Sequence, residues 1–154
     1  MDERAPHLEL TVTLPSETGS VPVVRRLAGQ TLRALGVTDD DIEDVQLAIT
    51  EACANVVKHA ADTDTYEVKV NLGTERCAIT VIDRGSGFDA TLLTGEAHHE
   101  AEAGRGVRLM RALVDSLDFE FQPLDGSVVH MVKALHYDES NPLHSHRTPD
   151  ARGA

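Results

Sequence analysis

The sequence predicts an α+β fold, a two-layer sandwich in which one mixed, mostly antiparallel β-sheet is covered on one face by three helices. Three observations lead to it. Residues 8–14, Leu-Glu-Leu-Thr-Val-Thr-Leu, alternate apolar and polar, the period of a strand with one buried face. Between Asp39 and Ala61, residues Ile42, Val45, Ile49, Ala52 and Val56 recur at steps of three and four, the period of a helix buried on one side. The remaining strand-like runs fall in two pairs set apart from the helical runs, rather than alternating with them one by one.

Taken in order, Pro15, Ser16 and Gly19 break the first strand. Val23, Val24, Leu27, Thr31, Leu32 and Leu35 then fit a helix from Val21 to Leu35, which Gly36 stops. Arg25, Arg26 and Arg33 lie off that apolar stripe, as a solvated face or as a docking face for an acidic partner. Thr38 with Asp41 three residues on reads as a capping box, and Asp39, Asp40 and Asp41 suit the positive start of the next helix. That helix ends at Asp62-Thr63-Asp64. Strands over 66–72 and 77–82, joined at Gly73-Thr74-Glu75, make a hairpin. Asp83-Arg84-Gly85-Ser86-Gly87 interrupts the strand pattern, and residues 88–103, without clear periodicity, read as a mobile lid. Gly104-Arg105-Gly106 opens a helix through Val114, with Val107, Met110, Leu113 and Val114 on its core side. Two last strands, over 119–122 and 128–135, turn at Leu124-Asp125-Gly126. A domain over 8–136 is thus followed by a polar stretch over 137–154, expected to be a disordered tail.

With 154 residues the chain is long enough for one domain with a real core. Aromatic residues make up only 3% and Trp is absent, so that core has to be built from Val, Leu, Ile and Ala. Lys and Arg number 14 against 26 Asp and Glu, a net charge of −12, which argues against direct binding to nucleic acid or an anionic membrane. No apolar run approaches the roughly 18 residues of a membrane span, and no charged-then-apolar leader opens the sequence. A cytoplasmic protein is expected. Cys53 and Cys77 read as reduced, small apolar fillers. His98-His99 and His144-x-His146 lack a third fixed ligand, so no native metal site is expected from them.

Three groups of residues carry possible chemistry. Glu51, Asn55 and His59 stand four apart and stack beside the apolar stripe of their helix. A carboxamide oxygen suits Mg²⁺, and a carboxylate one turn earlier suits a general base, although the same pair also occurs on ordinary exposed helix faces. Asp83 ends an apolar strand with glycines two and four residues on. It reads as a tight turn, or as a carboxylate accepting a hydrogen bond from an exocyclic amine such as adenine N6. A charge-assisted bond of that kind contributes roughly 1.5–3 kcal/mol. Glycines at 104 and 106 beside a helix start leave N–H groups open to an anion, and Arg105 adds a cation.

The order of these pieces carries a resemblance that none of them carries alone. Glu51-x-x-x-Asn55, Asp83-x-Gly85-x-Gly87, Gly104-x-Gly106 and Gly126-Ser127 together resemble the ATP-binding superfamily of gyrase, Hsp90, histidine kinases and MutL, over residues 8–136. Within it, the wording from Glu51 through His59 and from Gly104 through Asp115 is similar to the bacterial anti-sigma factor serine kinases. The resemblance implies the histidine-kinase-like ATPase fold, ATP and Mg²⁺ as ligands, Glu51 as catalytic base, Asn55 as Mg²⁺ ligand and Asp83 as adenine reader. It implies further that Gly85 and Gly87 shape the adenine pocket, that Lys58 and His59 belong to the nucleotide site, and that Gly104, Arg105, Gly106 and Val107 contact phosphates. Ser127 stands where that family usually has a Thr supporting the adenine-binding Asp, and Arg105 where it has an apolar residue. The expected function is sequestration of an alternative sigma factor and phosphorylation of Ser or Thr on an anti-anti-sigma antagonist, by a homodimer whose partner face includes Arg25, Arg26 and Arg33. A nucleotide-dependent binder of the same fold without transfer is the alternative, and Glu51 argues against it, since a pure binder needs no base.

Overall fold

A computed structural model describes residues 7–59, 64–83, 101–122 and 126–138. In chain order the elements are β1 (Leu8–Pro15), α1 (Ser20–Ala34), α2 (Asp39–His59), β2 (Thr65–Leu72), β3 (Arg76–Asp83), α3 (Ala101–Leu113), β4 (Ser116–Gln122) and β5 (Gly126–Ala134). The strands form one sheet in the order β1-β2-β3-β5-β4. Its four pairings are all antiparallel. β3 and β4 run in the same direction, but β5 returns between them, so they never pair.

Registers bring the alternating apolar residues into continuous rows. Leu10, Val70, Ile79, Met131 and Leu117 stand side by side across the sheet, and Val12, Val68, Val81, Val129 and Phe119 form the next row. These rows face the helices: Val68, Ile79, Val81, Val129 and Met131 have no exposed surface. Because side chains alternate with period two, slipping any strand by one residue would turn its whole row to solvent.

α2 lies between α1 and α3 and contacts both. Its predicted stripe is the centre of the core, with Ile42, Val45, Ile49, Ala52 and Val56 at most 1% exposed. On α1 the buried stripe is Val21, Val24, Ala28 and Leu32, and Val23 is 55% exposed. Val23 was expected on that stripe; it lies about 100° round the helix from Val24, which takes it off the core side. Gly29 of α1 faces the side chain of Gln46 on α2. A Cβ there would collide with the Gln46 amide, which donates to the Arg25 carbonyl at 3.1 Å.

Gly36 ends α1 as expected, at φ 82°. Val37 N–H donates to Leu32 O and Gly36 N–H to Arg33 O, both at 3.1 Å, which is a Schellman closure. The capping box expected at Thr38–Asp41 does not form. Thr38 N–H donates to His136 O at 2.9 Å. The Asp41 carboxylate accepts from His136 N–H at 2.6 Å and is buried at 6% exposure. Long-range contact with the end of β5 outcompetes the local cap.

That contact also moves the predicted end of the domain. Tyr137 forms a bridge with Val37 and donates its hydroxyl to Gly73 O at 2.7 Å, and Asp138 N–H donates to Gly36 O at 2.8 Å. Both residues belong to the packed body, and 139–154 lie outside the described residues. Two further bounds differ from expectation. α3 begins at Ala101, so Gly104 and Gly106 are inside it, and residues 101–103, assigned to the lid, are helical. β4 begins at Ser116 rather than at residue 119, because Asp115 N–H is already held by Val132 O at 2.8 Å. The rest of the expected lid, 88–100, lies outside the described residues.

Candidate nucleotide site

Glu51 and Asn55 sit one turn apart on α2, beside rather than within its buried stripe. Glu51 is partly exposed and Asn55 is buried at 8%. What covers them is the first part of α3. A Cβ on Gly106 would stand 2.9 Å from Glu51 Oε2 and 3.8 Å from each polar atom of the Asn55 carboxamide. At Gly106 the absence of a side chain is therefore a matter of space. Any larger residue would push into the carboxylate.

A second polar pair closes the sheet at the same end. Asp83 ends β3 and Ser127 is the second residue of β5, and the two are register partners. They are 2% and 1% exposed, on the helix-facing side of the sheet. Ser127 Oγ has no hydrogen-bond partner among the described residues. A buried hydroxyl without a partner normally destabilises a fold, and is kept where a ligand or water supplies the missing bond.

The structure thus brings together Glu51, Asn55 and Gly106 in one group and Asp83 with Ser127 in another. Gly104 and Arg105 lie in the first turns of α3, and Arg105 is exposed. The N–H groups a helix leaves without intrahelical partners are those of its cap and first three residues, so in a helix that begins at Ala101 residues 104–107 already belong to the hydrogen-bonded ladder. Val107 is half-buried and packs on the core. Lys58 is exposed and lines an apolar groove of about 530 Å³ with Thr18, Val21, Pro22, Ala54 and Val57. His59 is the last residue of α2, and its side chain lies outside the described set, as do Gly85 and Gly87.

Both cysteines are free and buried. Burial pushes the Cys53 thiol up to about 12, opposed by a hydrogen bond from Tyr66, and burial alone pushes Cys77 to about 12. Tyr66 is raised as well, first by burial, and its hydroxyl lies 2.7 Å from Ser20 Oγ. These thiols are packing groups, with no nucleophilic character near neutral pH. Among the described residues no group of three or more His, Cys, Asp or Glu is placed to hold a metal. No described helix is long and apolar enough to cross a membrane.

Residues 14–133 match the histidine kinase-like ATPase domain. The chain belongs to that family. It is similar to the serine-protein kinase RsbW of Halalkalibacterium halodurans, 34% identical over 145 residues that cover 84% of this chain and 85% of the relative. The serine-protein kinase RsbW of Bacillus cereus is 29% identical over 163 residues, covering 96% and 99%. Among solved structures, the RsbU and RsbW domains of a Mycobacterium tuberculosis protein superpose with a TM-score of 0.67 at 24% identity, over 86% of this chain and 34% of that one. A blue-light-activated histidine kinase of Erythrobacter litoralis gives 0.50 at 16% identity, over 79% and 62%. These two likenesses concern the fold.

As a histidine kinase-like ATPase, the chain holds its polar groups where that fold has helices over one end of an antiparallel sheet. The residues present fit a nucleotide with Mg²⁺. Ser127 Oγ is an orphaned buried donor and acceptor, Gly106 leaves a space that a Cβ would fill, and Asn55 offers a hard oxygen. Sequence patterns missed the contact between Gly106 and Glu51, since nothing in the 54 intervening residues announces which glycine will meet which carboxylate.

Proposed function

We propose that this chain is an ATP- and Mg²⁺-dependent protein serine/threonine kinase. It acts as an anti-sigma factor, holding an alternative sigma factor and phosphorylating an anti-anti-sigma antagonist. The observation that carries the reading is Glu51 and Asn55 on one turn of α2 with the bare backbone of Gly106 against both. Similarity to proteins named serine-protein kinase RsbW supports it.

ATP supplies the phosphoryl group and Mg²⁺ offsets its charge. Everything else falls to the chain. Asn55 holds the metal through its carboxamide oxygen. Asp83, supported by Ser127, orients the base through its exocyclic amine. Glu51 would accept the proton of the incoming serine or threonine hydroxyl as its oxygen bonds to the γ-phosphorus of ATP and ADP leaves. Phosphoryl transfer needs mainly positioning and charge neutralisation, so this short set suffices.

The partner face is the outer side of α1. Arg25, Arg26 and Arg33 are exposed there. Arg33 lies 4.0 Å from Asp39, an exposed pair of little energetic weight, whereas Arg25 and Arg26 have no ion pair among the described residues. On a chain of net charge −12 these are cations set apart for an acidic partner. A phosphate on the antagonist adds about −1.5 to −2 charges, which favours its release. A cytoplasmic homodimer completes the reading.

Calorimetry with ATP–Mg²⁺ on the wild type and Asp83→Asn, beside transfer of labelled phosphate to a purified antagonist, tests it. Binding lost in Asp83→Asn and transfer lost in Glu51→Ala are the expected results. Tight binding without transfer would leave a nucleotide-dependent binder, and absence of binding in folded protein would overturn both readings.

A further inference from the structure

The α2–α3 pair is held at two points, and only one of them is the site. Glu51 stands seven residues beyond Asp44 on α2, and Leu113 seven beyond Gly106 on α3. Each interval is two turns, roughly 10.5 Å of helix. At one end Gly106 lies against Glu51 and Asn55. At the other, Lys133 of β5 donates to the Leu113 carbonyl at 3.0 Å and lies 3.1 Å from Asp44 and 3.9 Å from Asp41. Its side chain is 12% exposed.

An ammonium has three donors, and here three acceptors face it: the last carbonyl of α3 and two carboxylates of α2. A cation at a helix C-terminus also complements the helix dipole. Low exposure keeps the attraction from being screened. Two further bonds fix where α3 ends. Ala134 N–H donates to Asp115 Oδ2 at 2.5 Å, and Asp115 N–H to Val132 O at 2.8 Å. Asp41 is itself held by His136, through N–H at 2.6 Å and Nδ1 at 2.9 Å. β5 therefore grips both helices at the end far from the site.

We infer that Lys133 is a positioning residue for the Glu51–Asn55 site: by pinning the last turn of α3 to Asp44 and Asp41 it fixes how closely Gly106 approaches Glu51, two turns away. The inference rests on Glu51 and Asn55 as working groups of the site, but the pin itself is a property of the protein without ligand. With the pin gone, α3 is free to shift along α2. The place most sensitive to such a shift is Gly106, where an added Cβ would stand only 2.9 Å from Glu51 Oε2.

The test compares Lys133→Met, Lys133→Arg and Asp44→Asn with wild type, first by hydrogen exchange without nucleotide and then by calorimetry with ATP–Mg²⁺. Lys133→Met should speed exchange over residues 106–113 about tenfold while leaving 45–56 unchanged, and should raise the Kd for ATP about tenfold. Lys133→Arg, which keeps a charged donor, should restore both. Asp44→Asn keeps the Leu113 and Asp41 contacts and should give about a threefold effect, so the comparison stands if Lys133→Met does not fold. Exchange that rises equally in both helices, with an unchanged Kd in folded protein, would overturn the inference and leave Lys133 a purely stabilising residue. If wild type itself does not bind ATP, the nucleotide reading fails, and localised exchange in α3 still decides whether Lys133 pins the helix.

Discussion

The two ends of this molecule are built on opposite principles. At the end where β3 begins and β5 finishes, the polar groups discussed above are tied to one another. Leu135 N–H donates to Glu75 O, Thr38 N–H to His136 O, and Asp138 N–H to Gly36 O, all between 2.8 and 2.9 Å. Lys133, Asp41 and Asp44 add a charge cluster centred on the buried Asp41. At the other end, where β3 finishes and β5 begins, Asn55, Asp83 and Ser127 are buried polar side chains, Asn55 lies beside the bare Gly106, and Ser127 Oγ has no partner among the described residues. One end ties its polar groups into the fold; the other holds, in Ser127 Oγ, a buried hydroxyl that makes no bond among the described residues. Substitutions should therefore separate by end, with stability lost at the closed end and function at the open one.

The sharpest way to break that contrast is Glu51→Ala. Loss of a general base should lower phosphate transfer by about 10²–10⁴-fold, with the thermal midpoint within about 2 °C of wild type for a partly exposed side chain. A large drop in stability would mean that Glu51 belongs to the fold. At the closed end, Asp41→Ala should behave in the opposite way. Removing the carboxylate leaves Lys133 and the His136 N–H without a partner they now have. The expected loss is about 3 kcal/mol in urea unfolding, with ATP affinity the smaller change.

Ser127→Ala sharpens the comparison on a smaller scale. Its hydroxyl makes no bond in the described residues, so its removal should alter stability by less than about 1 kcal/mol. ATP binding should weaken by about tenfold if the nucleotide site is what satisfies it. A stability loss with unchanged ATP binding would assign Ser127 to the closed kind of polar group. The smallest effect concerns the cysteines. Both are raised in the folded state, from 9.0 to about 12. A raised thiol value means that the neutral form is favoured by folding, so this contribution is complete below about 9 and is lost as pH climbs toward 12. Urea midpoints measured at pH 8.5 and 10.5 should fall over that interval, and the fall should shrink in a Cys53→Ala, Cys77→Ala double variant, the raised Tyr66 and Tyr137 supplying the remainder.

Much of this was legible beforehand. The stripe of α2 is buried residue for residue, because a period of 3.6 leaves little choice about which side chains share a face. The two hairpins and the first strand follow from alternation and short turns, and free, buried cysteines follow from their apolar settings. Local rules failed where distant chain arrived. Thr38 and Asp41 have the spacing of a cap, yet both bond to His136, which is 95 residues beyond Asp41. The glycines at 104 and 106 look like residues ahead of a helix, but Ala101 starts it, since helix starts carry no unique marker.

By itself, the sequence determined the fold class and most of the buried faces of the elements, since these rest on periodicity, and through side-chain chemistry it nominated the residues proposed to handle a nucleotide. Only the tertiary structure decided which of those residues meet. The order β3-β5-β4 places Asp83 beside Ser127, the packing of α3 on α2 sets Gly106 against Glu51, and the end of β5 delivers Lys133 to both helices. Such contacts join positions tens of residues apart, and their geometry is fixed by packing the whole core at once, which no local pattern encodes.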